Sequence, residues 1–279
     1  MMRTLVVTKR LKTSPEADAA LKTKAKTKTV SLFGKLLAAA FFAVYAASGA
    51  AAPETNAALQ NEEPRYASSP VWVAELGEKH HASQLFVVAG VGQTTAYVSM
   101  HEKTSDGSWR QIVSTPGFIG KYGLGKKREG DGKTPVGVFH FNYAFGIADN
   151  PGVTAFPYRK VDKNDYWSGD VRKDRRYNQM VSIKDYPDLD RDASEHLIDY
   201  YYPYQYALNI SYNEKGAPGL GSAIFLHCLG DQRPYTGGCV AIPRSDMITV
   251  LRNVRPDCVV VIDYLKNISQ ETYKKWGLK

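Results

Sequence analysis

The chain has 279 residues, 43% of them hydrophobic, and its 36 lysine and arginine residues exceed its 28 aspartate and glutamate residues by eight. The excess is local: residues 1–52 hold nine basic and two acidic side chains, and the rest of the chain carries 27 and 26. A nearly neutral chain after residue 52 lacks the basic excess typical of nucleic-acid binding. We therefore expect no nucleic-acid partner.

The first 52 residues have the order of a secretion signal. Basic side chains come first, an apolar run follows at 36–47, and small residues at 48–52 precede Pro53. This order is typical of a signal peptide, and the apolar run is shorter than the roughly 20 residues of a membrane span. We predict a signal peptide or an uncleaved N-terminal anchor at 1–52, with export to the periplasm or cell envelope of a bacterium. Contact with a membrane is expected only through this segment, if it stays uncleaved.

The remaining chain divides into a short tether and one domain. Proline, alanine and polar residues over 53–70 predict a flexible tether, and 71–279 is long enough for one domain with a full core. Its pattern is mainly β with few helices, an α+β class. The predicted strands, in β-branched and aromatic runs, lie at 84–91, 95–102, 109–113, 136–141, 208–212, 223–227 and 258–264. The first three predict a meander, and the last two are apolar enough to be central.

Three helices are predicted in the same domain. Residues 245–254 place apolar side chains at helical spacing, with Ser245 as a candidate N-cap and Pro256 as a stop. Shorter helices are predicted at 192–200 and 269–276. The first of the three begins soon after Cys239 and would brace the turn that carries this thiol.

His227 and Cys239 are the candidate catalytic pair. His227 ends an apolar run, and Cys239 follows two glycines twelve positions later. A thiol is mostly protonated at neutral pH and needs an adjacent base to become a nucleophile, a role that imidazole fills. Gly237 and Gly238 leave room for backbone N–H groups to face an oxyanion, and Thr236 can fix the same turn. A structural strand end followed by a turn explains these residues equally well, so both interpretations stay open.

Four blocks of sequence add to this pair. They read Gly-Lys-Tyr-Gly at 120–123, Arg-Glu-Gly-Asp-Gly-Lys-Thr-Pro-Val-Gly-Val-Phe at 128–139, Ser-Ala-Ile-Phe-Leu-His at 222–227 and Thr-Gly-Gly-Cys-Val-Ala at 236–241. In this order they resemble the YkuD-type L,D-transpeptidase catalytic domain, over about 84–264. The resemblance implies a YkuD-like β-sandwich or mixed sheet that acts on peptidoglycan stem peptides in cell-wall biosynthesis.

The resemblance also implies a reaction and a set of roles. Cys239 would attack the amide between the third-position diamino acid and the D-alanine of a tetrapeptide stem, with His227 as base. The carbonyl of Cys228 would orient the imidazole, and N–H groups around Gly238 and Cys239 would form the oxyanion hole. The acyl-thioester would then pass to an amine, giving a 3-3 cross-link, or to water, giving a tripeptide. No cofactor is implied.

The nucleophile motif departs from the commoner form of the family. Thr-Gly-Gly-Cys stands where Ser-His-Gly-Cys is usual, and Ala241 replaces an arginine that often follows the nucleophile. A branch of the family shares both departures. Contacts from that arginine would have to come from elsewhere, with Arg244 or Arg233 as candidates. The residues expected to contact the substrate are Tyr235, Thr236, Gly237 and Arg244.

The other cysteines leave alternatives open. Cys228 and Cys258 sit in predicted strands and would pair as a disulfide if those strands adjoin, or else remain free. No metal site is expected, because the sequence lacks the C-x-x-C and H-x-x-x-H spacings of zinc ligands. Two other functions remain as alternatives: an exported cysteine peptidase that acts on protein, and a non-catalytic cell-wall-binding module.

Overall fold

A computed structural model of the chain describes residues 66–230 and 233–278. Within them the fold is mostly β. The strands are β1 (Ala67–Ser68), β2 (Gln84–Gly90), β3 (Thr95–Lys103), β4 (Trp109–Phe118), β5 (Gly137–Gly146), β6 (Tyr158–Lys160), β7 (Asp165–Trp167), β8 (Met180–Ser182), β9 (Glu195–His196), β10 (Ala207–Ile210), β11 (Phe225–Cys228), β12 (Val240–Ile242) and β13 (Val259–Tyr264). The helices are α1 (Val71–Lys79), α2 (Arg244–Asn253), α3 (Leu265–Ile268) and α4 (Gln270–Lys275).

The main sheet closes on itself. Its order runs β4-β12-β11-β10-β5-β13-β2-β3, and β3 pairs again with β4, so that eight strands form a barrel. The pairs β11–β12 and β13–β2 are parallel, and the other pairs around the barrel are antiparallel. A second, three-stranded sheet has the order β8-β7-β9. The predicted mixed sheet and the mainly β class are thus confirmed, and β11 and β13 are interior strands of the sheet.

Alternation along each barrel strand separates two faces. All eight strands of the barrel contribute apolar side chains to the main core, and α2 adds Met247, Val250 and Leu251 to it. On β11, Leu226 points into this core. Phe225 points the other way and packs in a smaller aromatic cluster outside the barrel. The outer face of β11 and β12 is therefore available for a site that the core does not fill.

The predicted elements are mostly present. The meander is β2-β3-β4, with register Leu85↔His101 in its first hairpin, and the predicted helices at 245–254 and 269–276 are α2 and α4. Helix α2 begins one residue earlier than predicted, with Pro243 at the cap position, so Ser245 is not its N-cap. The φ of Pro243, −52°, sets the helical entry without a side-chain cap.

The helix predicted at 192–200 is wrong. Glu195–His196 forms strand β9, which pairs with Tyr166 and Trp167 of β7, and only Leu197–Asp199 makes a single 3-10 turn. The backbone N–H and C=O groups of this segment bond to β7 and are not available for helical hydrogen bonds. The segment also has no apolar stripe at helical spacing that would favour a helix. Strand pairing in the folded chain decided this segment.

The sequence patterns do not predict helix α1. Ala67–Ser68 pairs with β4 and α1 buries Trp72 and Val73, so ordered structure begins a few residues before the expected domain start at residue 71. The predicted leader at 1–52 and most of the predicted tether lie outside the described residues. Among the helices of the described ranges, none is both long enough and apolar enough to cross a bilayer.

Candidate active site

Strand register places His227 and Cys239 on one face. His227 pairs with Ala241 across the parallel strands β11 and β12, and paired residues of neighbouring strands point to the same side of a sheet. Cys239 precedes Ala241 by two residues and therefore shares that side. Phe225, two residues before His227, is on it as well, and its N–H lies 3.3 Å from the Cys239 sulfur. Two strands thus bring a thiol and an imidazole to one surface from twelve residues apart in sequence.

Both side chains line one cavity of about 800 Å³ on the outside of the barrel. Its walls come from the β11–β12 face, the loop before β5, and the segment that links β9 to β10. The expected site residues that line it are His227, Tyr235, Thr236, Gly237 and Cys239. Arg233, the other candidate for the missing arginine, lines it too.

The Cys239 thiol rests in a neutral, buried state. It is 7% exposed, it donates to the Ala223 carbonyl at 3.2 Å, and it accepts from the Phe225 N–H. Burial, and after it the negative charge of Glu195, raises the pKa of the thiol to about 12. No hydrogen bond joins this sulfur to His227 within the described residues. The resting site therefore holds a thiol rather than a thiolate.

His227 is held in the form of a base. Its Nδ1 lies 2.7 Å from the Cys228 carbonyl oxygen, which can only accept, so Nδ1 carries the proton and Nε2 keeps its lone pair. Burial lowers the pKa of the imidazole to about 4, although the carbonyl contact favours the charged form. His227 is therefore neutral at physiological pH, with a free acceptor nitrogen. The contact with the Cys228 carbonyl is the one implied by the family resemblance.

Two threonine hydroxyls hold the backbone of Cys239. Thr236 Oγ1 donates to the Cys239 carbonyl at 2.7 Å, and Thr134 Oγ1 donates to the same oxygen at 3.2 Å. Each hydroxyl also accepts from a backbone N–H, Thr236 from Gly238 at 3.1 Å and Thr134 from Gly120 at 2.9 Å. The segment that carries Cys239 is thereby tied to a distant loop, the one before β5.

The two glycines before the nucleophile have different reasons to be glycine. Gly238 has φ +149°, and a Cβ there would lie 2.9 Å from the Lys133 carbonyl oxygen. A Cβ at Gly237 would meet nothing within 4 Å. The N–H of Gly238, expected in the oxyanion hole, already donates to Thr236 Oγ1. Within the described residues no hydrogen bond takes the N–H of Gly237 or Cys239, so these two are the available donors.

Arg244 lies away from the cavity. It follows β12 at the end opposite Cys239, its guanidinium sits 5.1 Å from the Tyr206 ring centre, and it is not among the cavity-lining residues. The expected substrate contact by Arg244 is therefore corrected. The N-terminus of α2 is likewise separated from Cys239 by Pro243 and the three residues of β12, which alone span roughly 10 Å. Arg233 remains as the cavity arginine.

The disulfide alternative does not hold. Cys228 and Cys258 are free and buried, and β10 and β5 lie between the strand of Cys228 and β13, which Cys258 immediately precedes. The Cys228 sulfur faces the Tyr206 carbonyl at 3.7 Å in the main core, on the opposite side of β11 from His227. Cys228 thus offers its carbonyl to the imidazole and its side chain to the core.

Sequence reasoning missed Asn178, which holds Ala223, the residue whose carbonyl accepts the hydrogen bond from the Cys239 thiol. Asn178 accepts from the Trp167 indole and from the Ala223 N–H, and it donates to the carbonyls of Tyr212 and Asn213. Ala223 is held with φ +54°, an unusual conformation for a residue with a Cβ. Its carbonyl oxygen accepts the hydrogen bond from the Cys239 thiol. No local signal marks Asn178, because its four partners lie 11 to 45 residues away from it in sequence.

A second missed residue is Glu195, in the cavity wall. Tyr204, which is buried, donates to Glu195 Oε2 at 2.7 Å, and the Tyr204 ring meets the His227 ring edge to face at 5.6 Å. Burial raises the pKa of the Glu195 carboxyl to about 7, against the Tyr204 hydrogen bond. Within the described residues no group of three or more His, Cys, Asp or Glu side chains is arranged to hold a metal ion.

A thiol and a neutral imidazole in one cavity are the groups that cysteine-dependent acyl transfer requires. The sequence model of the YkuD family, the L,D-transpeptidase catalytic domain, matches residues 83–262. This match spans most of the described chain, and the chain belongs to that family. A search of curated proteins finds no match.

Proposed function

We propose that this protein is a peptidoglycan L,D-transpeptidase or L,D-carboxypeptidase with Cys239 as nucleophile and His227 as base. The observation that carries the proposal is the shared face of β11 and β12, where a thiol and a base-form imidazole line one cavity in a chain of this family. The substrate is the tetrapeptide stem, cleaved between the third-position diamino acid and D-alanine. We further propose export through residues 1–52.

Acylation begins with a change of the Cys239 side-chain torsion. The thiol leaves the Ala223 carbonyl and passes its proton to Nε2 of His227, and the sulfur attacks the carbonyl carbon of the third stem residue. The N–H groups of Cys239 and Gly237 stabilise the oxyanion. The imidazolium then gives its proton to the departing D-alanine amine, which leaves an acyl-thioester on Cys239 and a neutral His227.

The neutral resting pair has a consequence for when the thiolate forms. A thiol pKa of about 12 and an imidazole pKa of about 4 disfavour an ion pair in the empty cavity. The thiolate and imidazolium form only when the sulfur is turned toward His227 and the carbonyl carbon of the donor stem is in position for attack. Attack and proton transfer are therefore closely coupled, and an unoccupied site stays unreactive.

The fate of the acyl-thioester defines the two candidate activities. An amine from a neighbouring stem gives a 3-3 cross-link, and water gives a trimmed tripeptide. Both use the same base, because His227 is neutral again after D-alanine leaves. The exposed Tyr201 and Tyr202 at the cavity rim leave room for a polymeric acceptor.

The test is a product assay with purified muropeptides that contain tetrapeptide stems, under reducing conditions and with mass spectrometry. The wild type is expected to release D-alanine, and Cys239→Ala to release none. Cys258→Ala is the matched control, because this thiol is buried in the main core away from the cavity. Unchanged muropeptides with the folded wild type would overturn the proposal. Digestion of a protein substrate instead would favour the alternative of an exported cysteine peptidase.

A further inference from the structure

The carboxyl group of Glu195 has one oxygen fixed and one available. Tyr204 donates to Oε2, and no hydrogen bond within the described residues takes Oε1. Glu195 lines the same cavity as Cys239 and His227, and its charge acts on the thiol strongly enough to raise the thiol pKa. A carboxylate beside a thiol nucleophile opposes thiolate formation, so acylation alone gives no reason for Glu195 to be there.

Glu195 makes no salt bridge within the described residues. Two basic residues, Lys126 and Arg233, also line the cavity, and the buried Lys126 is paired with Asp131 at 3.1 Å. Glu129, a second cavity carboxylate, accepts from Tyr177 and Ser222 and has no salt bridge among the described residues either. Glu195 thus presents a carboxylate without an ion-pair partner among the described residues, which a ligand cation would complement.

Transfer to an amine needs one more proton acceptor than hydrolysis does. An amine acceptor arrives as an ammonium ion, and it must lose one proton to become a nucleophile and a second one on attack. His227 can take only one of the two. Resting on the proposed function, we propose that Glu195 is a second general base, which binds the acceptor as its ammonium and removes the first proton.

Transfer to the amine moves two protons. The Glu195 carboxylate takes a proton from R–NH3⁺ and becomes a carboxylic acid, and the neutral amine attacks the thioester carbonyl carbon. His227 takes the second proton from the attached nitrogen and gives it to the Cys239 sulfur as the C–S bond breaks. The products are an amide, a thiol and a protonated Glu195, which returns its proton to water.

The acidity of Glu195 supports this role. An alkyl ammonium has a pKa of about 10.4 and an ordinary glutamate about 4.3, a gap of about six units that disfavours proton transfer about a millionfold. Burial raises the Glu195 pKa to about 7, which reduces the penalty to about a thousandfold. The other titratable groups of its cavity are Lys126, Glu129, Asp199, Tyr200, Tyr201, Tyr202, Tyr204, His227, Arg233, Tyr235 and Cys239.

The experiment compares two acceptors in the full-length protein and in Glu195→Gln. One acceptor is a basic amine, D-methionine, which is an ammonium ion at pH 7, and the other is hydroxylamine, which is already neutral. The acyl-enzyme is formed from a tetrapeptide donor, and both transfer products are measured by mass spectrometry. Glu195→Gln keeps an acceptor oxygen for Tyr204 and is expected to lower transfer to D-methionine at least about tenfold relative to hydroxylamine.

Glu129→Gln is the matched control, because it removes a carboxylate from the same cavity wall whose Oε2 already accepts from Tyr177 and Ser222. It is expected to weaken binding of the cationic acceptor but to keep the ionisation near pH 7 in transfer to D-methionine. In the wild type, transfer to D-methionine should rise through an ionisation near pH 7 that transfer to hydroxylamine lacks, a measurement that needs no variant. Equal losses for both acceptors in Glu195→Gln, or no difference between the wild-type pH profiles, overturn the role of Glu195 as a second base and leave the proposed function intact. A wild type that acylates but transfers to no amine also overturns it. Absence of acylation overturns the proposed function as well.

Discussion

The two threonine hydroxyls that meet on the Cys239 carbonyl provide a quantitative test of the site. In Thr236→Val the shape is kept, but the carbonyl loses one donor and the buried Gly238 N–H loses its acceptor. Thr134→Val has the same effect on the carbonyl and on the Gly120 N–H. A buried N–H without a partner costs about 1–3 kcal/mol, so each single variant is expected to lose about 2 kcal/mol of unfolding free energy.

The double variant should lose more than the sum. Each single variant leaves the carbonyl oxygen with one donor, whereas the double variant leaves this buried acceptor with neither threonine. The extra desolvation penalty is about 1–2 kcal/mol, which would appear as a coupling energy of that size in a double-mutant cycle. Urea unfolding followed by fluorescence measures all four proteins at one pH.

Thr115→Val is the control for replacing a buried threonine hydroxyl by a methyl group. Thr115 is buried in β4, but its hydroxyl contacts only the carbonyl of the next residue, at 3.3 Å, so a loss of less than about 1 kcal/mol is expected. Additivity of the Thr134 and Thr236 losses within about 0.5 kcal/mol would refute the shared-acceptor argument.

Three further predictions concern the catalytic pair and its turn. Gly238→Ala forces a Cβ to 2.9 Å from a backbone oxygen at φ +149° and is expected to lose about 2 kcal/mol or more in thermal unfolding. Gly237→Ala, with open space around it, should change stability little. Because burial lowers the His227 pKa from 6.5 to about 4, the unfolded chain binds this proton first as pH falls. The stability contributed by His227 should therefore fall by about 3 kcal/mol from pH 7 to pH 4, against the opposite trend of Glu195, whose pKa burial raises to about 7. His227→Gln should remove the His227 share in urea titrations, and an unchanged slope would contradict it. With its pKa raised to about 12, Cys239 should react with iodoacetamide at pH 8 at least about a hundredfold more slowly in the folded than in the urea-unfolded protein, as measured by peptide mass spectrometry, and comparable rates would contradict the buried neutral thiol.

The sequence could predict those parts of the site that depend on strand ends. The apolar run at 223–227 predicts a strand that ends at His227, and the twelve positions to Cys239 allow a loop and a return. This spacing, with the two glycines before the thiol, was enough to nominate His227 and Cys239 together. The family resemblance, and not the strand pattern, implied that only the carbonyl of the residue after the histidine is used. The parallel pairing of β11 with β12 was not predicted.

Glu195 shows what local patterns could not supply. Its neighbourhood resembled a short helix, but pairing with Trp167 of β7 turned it into a strand that faces the cavity. Its partner Tyr204 stands in a run of tyrosines, in which Tyr201 and Tyr202 are exposed and Tyr204 is buried. Hydrophobicity alone does not separate these rings. Only the folded contacts identify the one that binds the carboxylate.

The resting contact between the Cys239 thiol and the Ala223 carbonyl also bears on how long the protein survives. Peroxides and small disulfides attack thiolates that are accessible, and this sulfur is neither ionised nor open to solvent. Burial likewise raises the pKa of Cys228, on the neighbouring strand β11, to about 11, which keeps this second thiol un-ionised as well. The Cys239 thiol is thus protected from oxidative loss in the resting state, a form of durability that the proposed export to an oxidising compartment would require.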